Sequence, residues 1–259
     1  MKLAISGKGG VGKSTVAAAL ALLLAQQGYK VLAVDADPDA NLGAALGISE
    51  TDQKKIIPIS EQKALIEERT GAKVKQYGQM FKLNPEVTDI AKDYAYTHEG
   101  VALLVLGAIE QGGSGCACPE SVLIRALVTD LILYKDETLI MDMEAGVEHL
   151  GRATARGVDT LLVVVEPGQR SIDCALRIIR FSGEIGLHHL KFVANKVNGP
   201  EDEEFLKQHL LDVEWIGFIP YTEEIRRNDR DGLSVLNGLS VDMLGIFNTI
   251  LNRLIANEG

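Results

Sequence analysis

The sequence predicts an α/β protein: a mostly parallel central sheet of about seven to eight strands, flanked by helices. Three observations carry this. Short β-branched apolar runs recur along the 259 residues, segments with helical spacing of apolar residues separate them, and no linker or internal repeat interrupts the alternation. A hydrophobic content of 46% is ample for one large core, so 1–259 reads as a single domain.

The strands are expected at 2–6, 30–35, 101–107, 138–143, 160–166, 191–197 and 215–219. Helices are expected at 13–27, 119–134, 171–186, 201–211 and 241–257. The stretch 50–100 is more polar and weakly periodic, and reads as a less regular insertion between the second and third strands.

Charge and composition exclude several classes. Twenty-six Lys and Arg against 36 Asp and Glu give a net charge of -10, a surface that repels phosphate backbones, so no nucleic-acid partner is expected. The N-terminal apolar run is too short for a signal peptide and the run 16–25 too short to span a bilayer. A cytoplasmic protein with no membrane partner follows as the expectation. Three cysteines, an odd number, suit a reducing compartment better than a disulfide scaffold.

The first strand runs into Gly7-Lys8-Gly9-Gly10-Val11-Gly12-Lys13-Ser14-Thr15, a G-x-x-x-x-G-K-[ST] loop between strand and helix. Glycines let successive backbone N–H groups turn inward on an anion, and the helix N-terminus adds partial positive charge. Gly9, Gly10, Val11, Gly12, Lys13, Ser14 and Thr15 are therefore candidate nucleotide-binding residues, with Lys13 on the β- and γ-phosphates and the Ser14 hydroxyl on Mg²⁺.

Lys8 is not needed to cradle phosphate within one chain. With it, GKGGVGKST resembles the deviant Walker A loop of the dimeric ATPases that include nitrogenase iron protein and the septum-placement and plasmid-partition ATPases. The resemblance implies a P-loop NTPase that sandwiches ATP in a homodimer, with Lys8 reaching the partner's phosphates. It also implies roles for three further segments. In Val34-Asp35-Ala36-Asp37-Pro38-Asp39-Ala40-Asn41 (switch I), Asp37 falls at the position that orients the attacking water, and it can meet the Mg²⁺ shell. In Ile140-Met141-Asp142-Met143-Glu144-Ala145-Gly146 (Walker B and switch II), Asp142 falls on a metal-bound water and Gly146 at the pivot. Many relatives carry proline where this chain has Glu144. Asn195-Lys196 resembles the group's purine-contacting site, and Pro220 lies in the loop that flanks the base.

The stretch Gly113-Ser114-Gly115-Cys116-Ala117-Cys118-Pro119-Glu120 is not explained by phosphate chemistry. Thiolates suit Ni²⁺, Zn²⁺ or an iron-sulfur cluster, and two of them one residue apart supply half of a four-ligand site. In a two-fold dimer the pair is doubled, giving a shared Cys₄ site at the interface. A strained redox pair, an iron-sulfur cluster and two incidental cysteines remain open as alternatives. Cys174 reads as a small buried hydrophobe on a helix.

Taken in order along one chain, the deviant loop, DADPDANL, MDMEAGVEHLGR and GCACPE resemble the nickel-insertion ATPases of CO dehydrogenase and acetyl-CoA synthase. The resemblance implies Mg-dependent hydrolysis of ATP, a homodimer in the ATP- or metal-bound state, and nickel at Cys116 and Cys118, with zinc as a possible substitute. It implies apo CO dehydrogenase or acetyl-CoA synthase as the client. The alternatives are an iron-sulfur cluster carrier or scaffold ATPase and a partition or septum-placement switch.

Overall fold

A computed structural model describes residues 1–73, 79–108, 118–134, 137–146, 150 and 152–256. Its centre is an eight-stranded sheet formed by β1 (Lys2–Gly7), β2 (Val31–Ala36), β3 (Tyr96–His98), β4 (Val101–Val105), β5 (Thr138–Met143), β6 (Thr160–Val165), β7 (Leu190–Val197) and β8 (Trp215–Pro220). The spatial order is β3-β4-β2-β5-β1-β6-β7-β8. Every pairing is parallel except β3 with β4.

The strands are nearly continuous apolar runs because both faces of the sheet are covered. Alternate residues go to opposite sides. Leu32, Val34, Met141, Met143, Leu161 and Val163 join one core with the helices Pro119–Tyr134 and Gln169–Ile185. Leu3, Ile5, Ala33, Ile140 and Leu162 join the other, with the helices Lys13–Gln26 and Val241–Ile255. The helix Lys13–Gln26 is buried over most of its circumference, from Val16 to Leu24, and its alanines allow close approach to the sheet.

All seven expected strands form, and the sheet gains an eighth. β3 lies in the 50–100 stretch and meets β4 through a two-residue turn with Glu99 at φ 45° and Gly100 at φ 81°, the mirror-type turn that fits strand twist. The rest of that stretch contributes short helices at Glu50–Gln53, Lys63–Thr70 and Ile90–Tyr94. Among the described residues no helix is long and apolar enough to cross a membrane.

The topology fixes where chemistry can happen. Strand order reverses around β1, and in open parallel sheets the crevice beyond the carboxyl ends at such a point receives the ligand. The loop after β1, the turn after β2 and the end of β5 all open there.

Candidate nucleotide site

The phosphate loop is held in shape by contacts that only glycine permits. Gly7 has φ 154°, and a Cβ there would lie 2.3 Å from the Val164 carbonyl oxygen of β6. Gly12 has φ 95°, and a Cβ would lie 2.2 Å from Asn195 Nδ2. That amide instead donates to the Val11 carbonyl at 2.8 Å, so Asn195, at the end of β7, ties the loop down from the side. Val11 is itself fully buried. The helix that follows has no acidic residue in its first turn, which leaves its N-terminal dipole for an anion.

Four charged groups meet beneath this loop. Lys13 is buried and its Nζ lies 3.6 Å from Asp37 Oδ2. Asp35, fully buried, accepts the backbone N–H of Leu42 at 2.9 Å and of Asp37 at 3.2 Å, so it fastens both ends of the turn that presents Asp37. Asp142 stands opposite Asp35 in the β2–β5 register, also fully buried. Burial pushes the Asp35 carboxyl up to about 6, against the two backbone donors, and pushes Asp142 up to about 7, against the neighbouring Ser14 hydroxyl.

Neither Asp142 oxygen has a hydrogen-bond partner in good geometry among the described residues. A buried carboxylate left so is costly unless a cation completes it. Among the described residues no three His, Cys, Asp or Glu side chains form a ready-made metal cage. Mg²⁺ keeps several waters and binds through one or two carboxylates and substrate phosphates. Ser14, Asp37 and Asp142 fit such an ion.

The end of β5 is anchored as well. Ser6 Oγ donates to the Gly146 carbonyl at 2.7 Å and accepts the Gly146 N–H at 3.1 Å. Gly146 has φ 146°. The segment that follows β5 is thus tied at its root to the strand that carries the phosphate loop.

A cavity of about 550 Å³ extends from this floor. Gly9, Gly10, Gly12, Lys13, Ser14, Thr15, Asp37, Asn195, Lys196 and Pro220 all line it. Its far wall starts at Tyr221, in the base-flanking loop Ile219-Pro220-Tyr221, and goes on through residues the sequence did not point to: Thr222, then Ile225, Arg226 and Asp229 on the helix Glu223–Arg230. Glu223 holds two of these, accepting from Tyr221 Oη at 3.2 Å and Arg226 Nη1 at 3.1 Å. The sequence did carry a signal for that helix, with Thr222 as N-cap, Glu223 and Glu224 in the first turn and Arg227 and Arg230 in the last. Asp35 and Glu166 are further residues of the site whose part is not evident from the sequence.

Lys8 Nζ lies 3.1 Å from Glu166 of its own chain. Cys118 immediately precedes the helix Pro119–Tyr134; it is half-buried, with its Sγ 2.9 Å from Ser121 Oγ. Helices that follow parallel strands begin at the edge where those strands end, so Cys118 shares the nucleotide edge of the sheet. Cys116 and His149 lie outside the described residues. Cys174 is buried in its helix, as expected for a small hydrophobe.

A parallel sheet with a glycine-framed phosphate loop, a buried Lys13 and carboxylates at the ends of β2 and β5 defines a P-loop nucleotide-hydrolase fold and site. Comparison with known proteins gives the particular family. The model described as the CobQ/CobB/MinD/ParA nucleotide binding domain matches residues 2–235, and the chain belongs to that family. It is 42% identical to the carbon monoxide dehydrogenase accessory protein CooC of Rhodospirillum rubrum, over 90% of this chain and 89% of that protein. It is 45% identical, over 88% of both chains, to an uncharacterized ATP-binding protein of Methanocaldococcus jannaschii. The chain is a CooC-type ATPase of this P-loop family. The Pyrococcus horikoshii septum site-determining protein MinD, solved with Mg-ADP, superposes with a TM-score of 0.67 over 98% of this chain and 96% of that one, and at 23% identity this speaks to the fold alone.

Proposed function

We propose that this chain is an ATP-hydrolysing metallochaperone that binds nickel between two copies of itself and delivers it to apo CO dehydrogenase or acetyl-CoA synthase. The observation that carries the ATPase chemistry is the fully buried Asp142 carboxylate under the phosphate loop, beside Ser14 and Lys13. Similarity to CooC supports the client.

Backbone N–H groups from Gly9 to Thr15 receive the phosphates, and Lys13 neutralises charge on the β- and γ-oxygens. Ser14, Asp37 and Asp142 hold Mg²⁺, directly or through water; bound there, the ion supplies positive charge to the phosphate oxygens. Asp37, fixed by Asp35, orients the attacking water. Asn195 and Lys196 clamp the loop from β7 and, with Pro220, border the base. Lys8 of each copy leaves its own loop for the partner's phosphates, which makes ATP the reason two chains associate. Positioning and charge neutralisation do most of the work in phosphoryl transfer, so a site completed across an interface couples hydrolysis to assembly.

Cys116 and Cys118 of two copies then offer four thiolates to one nickel ion, with zinc as a possible substitute. The position of Cys118 at the nucleotide edge supports a link between the two sites, since loss of the γ-phosphate is felt at that edge. The segment rooted on Ser6 and Gly146 is a second path along it.

The test is anaerobic metal binding by wild type and by Cys116→Ala/Cys118→Ala. Wild type is colourless as isolated and then binds one Ni²⁺ per two chains, and the double variant binds none at that site. Unchanged stoichiometry in the variant contradicts the nickel assignment, and a brown protein as isolated would favour the cluster-carrier alternative.

A further inference from the structure

We propose that Glu166 is a positioning residue that parks Lys8 on its own phosphate loop, and so sets the protein concentration at which ATP brings two copies together. This rests on the reading of Lys8 given under the proposed function.

Glu166 directly follows β6, the neighbour of β1, and its backbone N–H donates to Ser171 Oγ at 3.1 Å; Ser171 is buried. The residue is thereby fixed beside the phosphate loop. Its carboxylate is divided between two cations. Oε1 lies 3.1 Å from Lys8 Nζ and Oε2 lies 3.5 Å from Lys196 Nζ. Each lysine also donates to the loop backbone, Lys8 to Gly9 O at 3.3 Å and Lys196 to Gly10 O at 2.5 Å.

The two lysines are not equivalent. Lys196 sits in the left-handed region at φ 59°, unusual for a residue with a side chain, where β7 and β8 lose register between Ala194 and Val197. Irregularities of this kind re-aim a side chain, and here the short bond to Gly10 O is what the turn achieves. Lys8 has no such backbone commitment. Its contact with Gly9 O is long. Lys8 is the member of the pair that can leave.

Its departure strands no charge. Glu166 is a quarter exposed and keeps Lys196 as counter-ion, so releasing Lys8 costs only a partly exposed ion pair. Two such pairs break when a two-fold dimer forms. A pair of this type is worth a factor of about 1.4 to 5, and squaring that factor gives a penalty on association of about two- to thirtyfold.

The experiment is sedimentation equilibrium with Mg²⁺ and a non-hydrolysable ATP analogue on wild type, Glu166→Gln and Lys8→Ala. Glu166→Gln keeps the shape and removes the charge, and the expected result is a dimerisation midpoint about two- to thirtyfold lower than wild type. A merely structural role does not produce tighter association, because loss of structure weakens it. Glu166→Asp, with its charge withdrawn by one methylene, shifts the midpoint less in the same direction and covers the case in which the glutamine variant fails to fold. If Lys8→Ala stays monomeric while neither Glu166 variant lowers the midpoint, the parking role is overturned and the role of Lys8 stands. If Lys8→Ala dimerises like wild type, the reading of Lys8 falls and the parking role with it.

Discussion

The two ends of the nucleotide cavity are built differently. At the phosphate end the ligand would meet backbone N–H groups framed by glycine-only contacts and by Asn195, with a buried lysine and buried carboxylates beneath them. At the other end it would meet Tyr221 and Arg226, exposed side chains steadied by a surface glutamate. Charges in a buried, preorganised frame act at full strength, and charges in water are screened. The phosphate end should therefore carry catalysis and the far end only modest affinity.

The largest effect expected from this contrast is at Lys13. Lys13→Ala removes a buried cation facing three carboxylates and should reduce the single-turnover rate of ATP hydrolysis by a hundredfold or more, on the order of 3 kcal/mol. A loss of less than about tenfold would place the catalytic charge elsewhere.

The next effect is on pH. The folded state raises the Asp35 and Asp142 carboxyls above their ordinary value of 3.8, to about 6 and about 7. A carboxyl raised on folding holds its proton longer in the native state, so the stability it contributes is present below about pH 4 and is lost as pH rises through 6 and 7. The melting temperature of the nucleotide-free protein should fall by a few degrees from about pH 5.5 to about pH 8. Asp142→Asn should flatten that slope. Mg²⁺ with nucleotide should reverse it, because ionised carboxylates are what the cation requires. A wild-type slope unchanged by Asp142→Asn would mean that Asp142 is already ionised in the empty site.

The smallest effect belongs to the far wall. Arg226→Ala breaks an exposed pair with Glu223 and should weaken nucleotide binding by no more than about fivefold, measured by fluorescence titration. A loss of a hundredfold would show that the wall, and not the loop, holds the nucleotide.

The same contrast explains what the sequence made legible. The phosphate loop is readable because local geometry demands glycine at two of its positions: Gly7 by the Val164 carbonyl and Gly12 by Asn195. The strands are readable because burial on both faces demands unbroken apolar runs. β3 was missed because it is three residues long and turns on Glu-Gly, where Asn-Gly or Asp-Gly would have announced the hairpin. The part of Asp35 is not legible in its motif, since its work is to accept N–H groups from residues two and seven positions on, which only the folded turn brings to it. Glu166 was hidden for a related reason: its partners are about 158 residues before it and 30 after it, and only the β1–β6 and β6–β7 pairings bring them together.

What joins all these parts is the claim that ATP makes two chains into one site. The direct measurement is molecular mass in solution with Mg²⁺ and a non-hydrolysable ATP analogue, by light scattering, for wild type and Lys8→Ala. The account predicts about twice 28.0 kDa for wild type with nucleotide, and 28.0 kDa for Lys8→Ala under the same conditions. A wild-type protein that saturates with nucleotide and stays at 28.0 kDa, with or without nickel, would contradict it.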